Sequence, residues 1–360
     1  MSHMVEHEGI IQVKPSEALE IIKLGIAVKE PTFLSGPPGA GKTSLYKQAA
    51  LDLGMDFISS HPVMADPTDG KGLGFAWTDA DGNMVADFLP IGEMSVLTKA
   101  TRPTLWLVDD FPTAPLATQA SFMRPFLERM CGQFVIPDCV VPAAAGNRRI
   151  DKSAVVGMNK ALLDRVMWSG ELILDVDDWC KWALANDIET SIVAHKRYRP
   201  DTLGEDPSYT TNGSKKKRTK GDMEKGPSPR SWEKLSNAIK KNSSTAIEHI
   251  LCCGAVGRWA GNDYLAFKRV FMNLPNVDAI MLNPSTYQPS EDPAVNWAFC
   301  GALASRASQN AMERICKVIS RMAPEYGVLA MRDCINKDKS VMTTRAFIEW
   351  SAQNADVVVG

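Results

Sequence analysis

The apolar positions in the first half of the chain form short runs that are separated by turn residues. Five runs predict β-strands: Thr32–Leu34, Asp56–Ser60, Thr104–Val108, Val140–Ala145 and Val166–Leu174. Consecutive apolar positions are typical of strands in a parallel sheet that helices cover on both faces. The pattern therefore predicts an α/β fold with such a sheet. Pro142 lies inside the fourth run, and we expect it near the start of that strand because proline cannot donate to a ladder.

Two features flank these strands. An amphipathic helix precedes the first one, and Ser16 is its expected N-cap. Between the second and third strands, Asp81-Gly82 separates two aromatic stretches, which indicates a hairpin insert at about 75–90. The glycine-rich segment 66–75 ahead of this insert is expected to be a mobile loop. Phe75 or Trp77 then either contacts a substrate or is buried against the hairpin, and the sequence does not decide between the two.

From Val176 onward the apolar spacing becomes helical. The predicted helices are 177–186, 189–198, 229–241, 244–256, 262–273, 293–307, 310–322 and 342–353. The stretch 200–227 is polar, rich in Gly and Pro, and contains the basic run 214–220, so a mobile loop is expected there. We predict four parts: an N-terminal tail (1–17), an αβ core (18–175), a helical lid (176–275) and a helical C-terminal extension (276–360).

Composition excludes several classes of protein. The chain has 360 residues, 45% of them hydrophobic, which is too many for a disordered chain and enough for a buried core. Its 40 Lys and Arg nearly balance its 42 Asp and Glu, so no overall attraction to nucleic acid or anionic lipid is expected. No apolar run of about 18 residues predicts a membrane span.

The eight cysteines form no C-x-x-C pair. We expect reduced, mostly buried thiols in a cytoplasmic protein. Cys252 and Cys253 are adjacent, but the sequence offers them no partner ligands, so a metal site is not expected there. His61, His195 and His249 show no constellation in the sequence.

The segment from Gly36 to Thr43 matches the P-loop pattern G-x-x-x-x-G-K-[ST], with a predicted strand before it and a helix after it. The expected nucleotide-binding residues are Gly36, Pro37, Pro38, Gly39, Ala40, Gly41, Lys42, Thr43 and Ser44. Glycines allow several backbone N–H groups to point at one phosphate. Lys42 would reach the β- and γ-phosphates of ATP, and the Thr43 hydroxyl would bind Mg²⁺.

Two carboxylates follow the third predicted strand. Asp109 is expected to hold Mg²⁺, and Asp110 is expected to polarise the attacking water. The sequence thus predicts an NTP-hydrolysing site, without deciding between ATP and GTP.

Further stretches carry a family resemblance. The chain resembles AAA+ ATPases, and among them the MoxR-like branch with its bacterial and phage-borne members, over about residues 18–275. Ala143–Arg148 resembles the sensor-1 strand, 161–166 the arginine-finger segment and Gly226–Trp232 the sensor-2 segment. The insert at 75–90 lies where this branch carries its helix-2 insert.

The resemblance implies a role for one residue in each stretch. Asn147 would sense the γ-phosphate, Arg165 would reach the nucleotide of a neighbouring subunit, and Arg230 would lean over the nucleotide from the lid. Arg148 and Arg149 are weaker candidates for a second contact with the neighbour. Without the resemblance, the alternatives are a buried structural role for Asn147, a surface ion pair between Arg165 and Asp164, and a solvated side chain for Arg230.

The resemblance implies an ATP-hydrolysing ring, most simply a hexamer, that remodels a protein partner in the manner of a chaperone. A von Willebrand factor A-type partner is the family expectation. The family usually has Asp-Glu where this chain has Asp109-Asp110, so a nucleotide-gated scaffold with negligible turnover is an alternative. A nucleic-acid motor is the third, and its support is the basic run 214–220.

Overall fold

The computed structural model describes residues 10–151, 160–204, 225–241 and 244–354. The chain divides into two compact units, Met1–Leu174 and Asp175–Gly360. Within the described ranges, no helix combines the length and the apolar character that a membrane crossing needs.

Residues 10–151 and 160–174, the described part of the first unit, contain ten strands and six α-helices. The strands are β1 (Gln12–Val13), β2 (Thr32–Gly36), β3 (Asp56–Ser60), β4 (Leu73–Thr78), β5 (Met84–Leu89), β6 (Thr104–Val108), β7 (Met130–Cys131), β8 (Phe134–Val135), β9 (Val140–Asn147) and β10 (Trp168–Leu172). The helices are α1 (Pro15–Ala27), α2 (Lys42–Asp52), α3 (Pro67–Lys71), α4 (Gly92–Leu97), α5 (Leu116–Glu128) and α6 (Lys160–Leu163).

Six strands form one parallel sheet in the order β1-β10-β2-β9-β6-β3. This is the predicted α/β P-loop NTPase fold. Neighbouring residues of β6 belong to different cores: Leu105 packs with Ile22 and Tyr46, whereas Trp106 packs with Leu97 and Phe122. Helices therefore cover both faces of the sheet, which explains the continuous apolar runs.

The five predicted strands are all present, but the N-terminal region differs from the prediction. Strand β1 lies in the predicted tail and pairs with β10. The sequence did not predict it, because a strand of two residues is too short to show an apolar pattern. Ser16 is not the N-cap, because α1 already begins at Pro15. Lys14 occupies the cap position, and its N–H donates to Oε2 of Glu17 at 2.9 Å. Pro142 is the third residue of β9, ahead of its pairing with β2, which begins at Ala144.

Strands β4 and β5 form an antiparallel hairpin in the region of the predicted insert. The segment ahead of it is not the expected loop, because it contains α3. Asp66 caps that helix by accepting from the N–H of Thr68 at 3.0 Å. Gly70 leaves no room for a side chain, since a Cβ there would lie 2.8 Å from Oγ of Ser121. Trp77 is 45% exposed on the hairpin and donates from Nε1 to Asp87 at 2.8 Å.

The second unit is helical. Its helices are α7 (Val176–Ala185), α8 (Thr190–Tyr198), α9 (Pro229–Lys241), α10 (Glu248–Val256), α11 (Arg258–Met272), α12 (Val277–Leu282), α13 (Pro293–Ala304), α14 (Met312–Ile319), α15 (Pro324–Lys337) and α16 (Arg345–Gln353). Helices α12 and α15 were not predicted. In the stretch expected to be a loop from residue 200, Pro200–Thr202 form a 3₁₀ turn, and Thr202 and Leu203 are buried. Residues 205–224, with the basic run 214–220, lie outside the described residues.

The predicted lid and C-terminal extension pack together as one unit. Helix α8 from the lid segment packs against α13 from the extension, where a Cβ on Gly301 would lie 3.1 Å from Cβ of Ala194. The buried guanidinium of Arg197 on α8 pairs with the buried carboxylate of Asp333 on α15. These contacts cross residue 276, and the boundary expected there stays a prediction.

Candidate functional site

The turn between β2 and α2 is built for an anion. Gly39 and Gly41 have φ values of 76° and 101°, in the left-handed region that favours glycine. Helix α2 begins at Lys42, so the N-terminal N–H groups of an 11-residue helix open at this turn. Nζ of Lys42 donates to the carbonyl oxygens of Gly36 and Pro37 at 2.9 and 3.0 Å. The turn thus brings a buried ammonium group and helix N–H groups to one place.

Thr43 and Asp109 meet at the same edge of the sheet. The Thr43 hydroxyl donates to Oδ2 of Asp109 at 2.6 Å, and Asp109 is only 6% exposed. A hydroxyl and a carboxylate oxygen are the hard ligands that Mg²⁺ prefers, so these two residues fit the predicted ion.

Asn147 connects the P-loop to the second acidic residue. Its Oδ1 accepts from Nζ of Lys42 at 2.9 Å, and its Nδ2 donates to Oδ1 of Asp110 at 3.2 Å. Strand β9 lies between β2 and β6, and parallel strands end at the same edge of a sheet. The sheet order therefore places Asn147 between the lysine and the carboxylate.

The backbone around Asp110 fixes the direction of its side chain. Asp110 has a φ of 53°, and its N–H donates to Oδ1 of Asp109 at 3.0 Å. A 3₁₀ turn, Phe111–Thr113, follows and packs against the end of β9. Gly146 gives this turn its room, because a Cβ there would lie 2.3 Å from Cδ of Pro112.

Arg148 is not available for a neighbouring subunit, contrary to the sequence-based expectation. Its side chain is buried, with 6% of the residue exposed. Nη2 donates to Asp151 at 2.7 Å, and Nη1 donates to Glu171 at 3.0 Å. A buried guanidinium needs such partners to offset its lost hydration. The side chain of Arg149 lies outside the described part of the structure.

Arg165 is exposed just after α6. Its N–H donates to the carbonyl of Leu162 at 3.1 Å. Within the described residues its guanidinium forms no ion pair, with Asp164 or any other carboxylate. Its assignment as an arginine finger stays a prediction.

Arg230 belongs to the second unit and lies in the first turn of α9. Oγ of Ser228 accepts from the N–H of Ser231 at 3.2 Å, which makes Ser228 the cap and Pro229 the first helical residue. The Arg230 side chain is exposed. Its sensor role stays a prediction.

The second unit contains a polar network that sequence reasoning missed. His195 is fully buried, with Nε2 2.7 Å from Oδ2 of Asp263 and Nδ1 3.0 Å from Nζ of Lys196. That ammonium lies 3.2 Å from the centre of the Trp232 ring. Burial, and then the charge of Lys196, lowers the pKa of His195 to about 4, although Asp263 acts in the opposite direction. Residues 191–197 are all buried, and three of them are consecutive basic residues. The apolar pattern could not predict this burial, because it treats basic residues as exposed.

Comparison with known proteins finds no matching family model and no matching curated protein. Among solved structures, the chain is similar to the RuvB Holliday junction branch migration motor of Thermotoga maritima, with 12% identity and a TM-score of 0.38 over 76% of this chain and 81% of that one. It is also similar to NtrX from Brucella abortus in complex with ADP, with 13% identity and a TM-score of 0.40 over 95% of this chain and 67% of that one.

Proposed function

We propose that this protein is an ATP-hydrolysing AAA+ machine that works as a ring. One observation carries the proposal: Lys42, Asn147 and Asp110 form a hydrogen-bonded chain beside the Thr43–Asp109 pair. A phosphate-binding cation, two ion-binding oxygens and a water-directing carboxylate thus meet at a helix N-terminus.

Each group has a defined task in phosphoryl transfer. Lys42 and the N–H groups of the P-loop bind the phosphates. Thr43 and Asp109 would hold Mg²⁺, which neutralises charge that develops on the phosphates. Asp110 accepts a hydrogen bond from the attacking water, and Asn147 holds both this carboxylate and the ammonium in place.

The support for a ring is Arg165. An exposed arginine without an ion pair among the described residues is free to act on the nucleotide of a neighbouring subunit, and such a group is worth about 10³–10⁵ in rate. We propose a hexamer, which is the ring that the family resemblance implies. Arg230 would report the nucleotide state to the helical unit, and the output would be MoxR-type remodelling of a protein client, with a von Willebrand factor A-type protein as the expected partner.

The test uses the full chain. Lys42→Ala should abolish ATP binding, whereas Asp110→Asn should retain binding and lose Mg²⁺-dependent turnover. Arg165→Ala should lower turnover by at least about 10³-fold. Mixing Arg165→Ala with Lys42→Ala subunits should restore activity at shared interfaces, because each supplies what the other lacks. A wild-type protein without ATP turnover, alone or with a partner, would contradict the proposal.

A second candidate function is a nucleotide-gated scaffold. Its support is Asp110, whose carboxylate is one methylene shorter than the usual glutamate and is already bonded to Asn147. In that case ATP would still control assembly, and Asp110→Asn would change neither assembly nor turnover. Asp110→Glu separates the two candidates further, because a longer carboxylate raises turnover only if water activation limits the rate.

A further inference from the structure

A cluster of buried charges includes the residue that follows Asn147. The guanidinium of Arg148 contacts the carboxylates of Asp151 and Glu171, and these three side chains are only 5%, 6% and 10% exposed. Nη2 and Nε of Arg148 both donate to Asp151, at 2.7 and 3.0 Å, and Nη1 donates to Oε1 of Glu171 at 3.0 Å. Buried ion pairs are weak evidence for stability, so stability alone does not explain this cluster.

Asp151 restrains the backbone beside Asn147. It ends the 3₁₀ turn Arg149–Asp151, and its Oδ2 accepts from the backbone N–H of Arg148 at 3.1 Å. That N–H belongs to the peptide group that joins Asn147 to Arg148. Because one carboxylate binds both the backbone and the side chain of Arg148, it restrains rotation of the chain at the end of β9.

Glu171 connects the end of β9 to a strand on the other side of the P-loop strand. Strand β2 lies between β9 and β10, with Gly36 paired to Asn147 and Ser35 paired to Glu171. Neighbouring strands are about 4.8 Å apart, so β9 and β10 are separated by about 10 Å. An arginine and a glutamate together span this gap, and their ion pair joins the two strands that flank the start of the P-loop.

We propose that Arg148 is a positioning residue that orients the amide of Asn147 toward the γ-phosphate of ATP. This rests on the proposed function, in which Asn147 holds the Lys42 ammonium and the Asp110 carboxylate in place. The planar guanidinium donates in a fixed fork, so it sets an orientation and not only a charge balance. A misplacement of about 1 Å at a catalytic group lowers the rate about 100-fold.

Two conservative variants weaken this link without removing a charge. Arg148→Lys keeps a cation between the two carboxylates but lacks the fork, and Glu171→Asp is one methylene too short to span the gap. Each should lower kcat for Mg²⁺-dependent ATP hydrolysis by about 10- to 100-fold. Each should also weaken binding of a non-hydrolysable ATP analogue and leave ADP binding unchanged, because ADP has no γ-phosphate for Asn147 to contact.

The test is a double-mutant cycle with Asn147→Ala in the full chain, measured by ATP turnover and by the affinity ratio of the ATP analogue to ADP. If Arg148 acts through Asn147, Arg148→Lys should cause no further loss in the Asn147→Ala background. Losses that multiply in the double variant would indicate a purely structural role and would overturn the proposal. Wild-type turnover and a wild-type affinity ratio in Arg148→Lys or Glu171→Asp would also overturn it.

Arg197→Lys is the matched control. Arg197 is another buried arginine, and it pairs with the buried carboxylate of Asp333 in the second unit. This variant should lose stability in urea unfolding, as Arg148→Lys does, but keep the wild-type turnover and affinity ratio. An equal loss of turnover in both variants would assign the effect to general destabilisation and overturn the proposal. A wild-type chain that neither binds nor hydrolyses ATP would instead contradict the proposed function itself.

Discussion

Gly146 offers a direct test of how the candidate site is held together. It is the seventh of the eight residues of β9, it pairs with Ser35 of β2, and it precedes Asn147. A Cβ at this position would lie 2.3 Å from Cδ and 2.6 Å from Cγ of Pro112. Both distances are far inside van der Waals contact, and Pro112 is buried, so the proline turn or the strand must move.

The size of the effect follows from this geometry. Overpacking of a dense interior costs about 1–3 kcal/mol. For a unit of this size, each kcal/mol lowers the melting temperature by about 2–4 °C. The displaced turn begins directly after Asp110, so the contact between Asp110 and Asn147 also changes. A misplacement of about 1 Å at a catalytic group lowers the rate about 100-fold.

The assay is a double-mutant cycle that measures thermal unfolding and ATP turnover. Gly146→Ala should lower both, and Pro112→Ala alone should have a small effect. The double variant should recover most of the loss, because alanine at residue 112 lacks the Cγ and Cδ atoms that clash. Additive losses in the double variant would refute the reasoning, since they would show that the proline ring is not what Gly146 accommodates.

Two further predictions concern buried polar groups. Because the pKa of His195 is lowered to about 4, the unfolded chain binds more protons between about pH 6.5 and 4; stability should fall as the pH falls through this window, by at most about 3 kcal/mol. Denaturant unfolding at several pH values should show that His195→Gln, which can still bond to Asp263, flattens this slope. Tyr46→Phe removes a hydroxyl that lies 3.1 Å from Oγ1 of Thr32 and donates to the carbonyl of Ala144 at 3.2 Å. It should cost about 1–2 kcal/mol in urea unfolding, and an unchanged midpoint would contradict the role of this bond.

The strands and the P-loop were predictable because their signals are local. A buried parallel strand is a continuous apolar run, and the turn Gly36–Thr43 has a fixed spacing. The sheet order is not local, yet it is what places Asn147 between Lys42 and Asp110. The sequence could place Asn147 and Asp110 near strand ends and Lys42 at the start of a helix, but the hydrogen bonds that join them depend on which strands are neighbours.

The helical half was harder to predict because its burial does not follow the apolar pattern. His195, Lys196 and Arg197 are consecutive basic residues, and all three are buried because each finds a partner from another part of the fold. Arg197 pairs with Asp333, which is more than a hundred residues away in sequence and lies on a helix that the pattern did not predict. Removing one partner of a buried ion pair destabilises the fold by more than the complete pair stabilises it, because the other charge stays buried without compensation. The fold must therefore keep both partners together, however far apart they are in the sequence. The predicted division at residue 276 stays a prediction, but a polar contact that apolar periodicity does not reveal joins α8 to α15 across it.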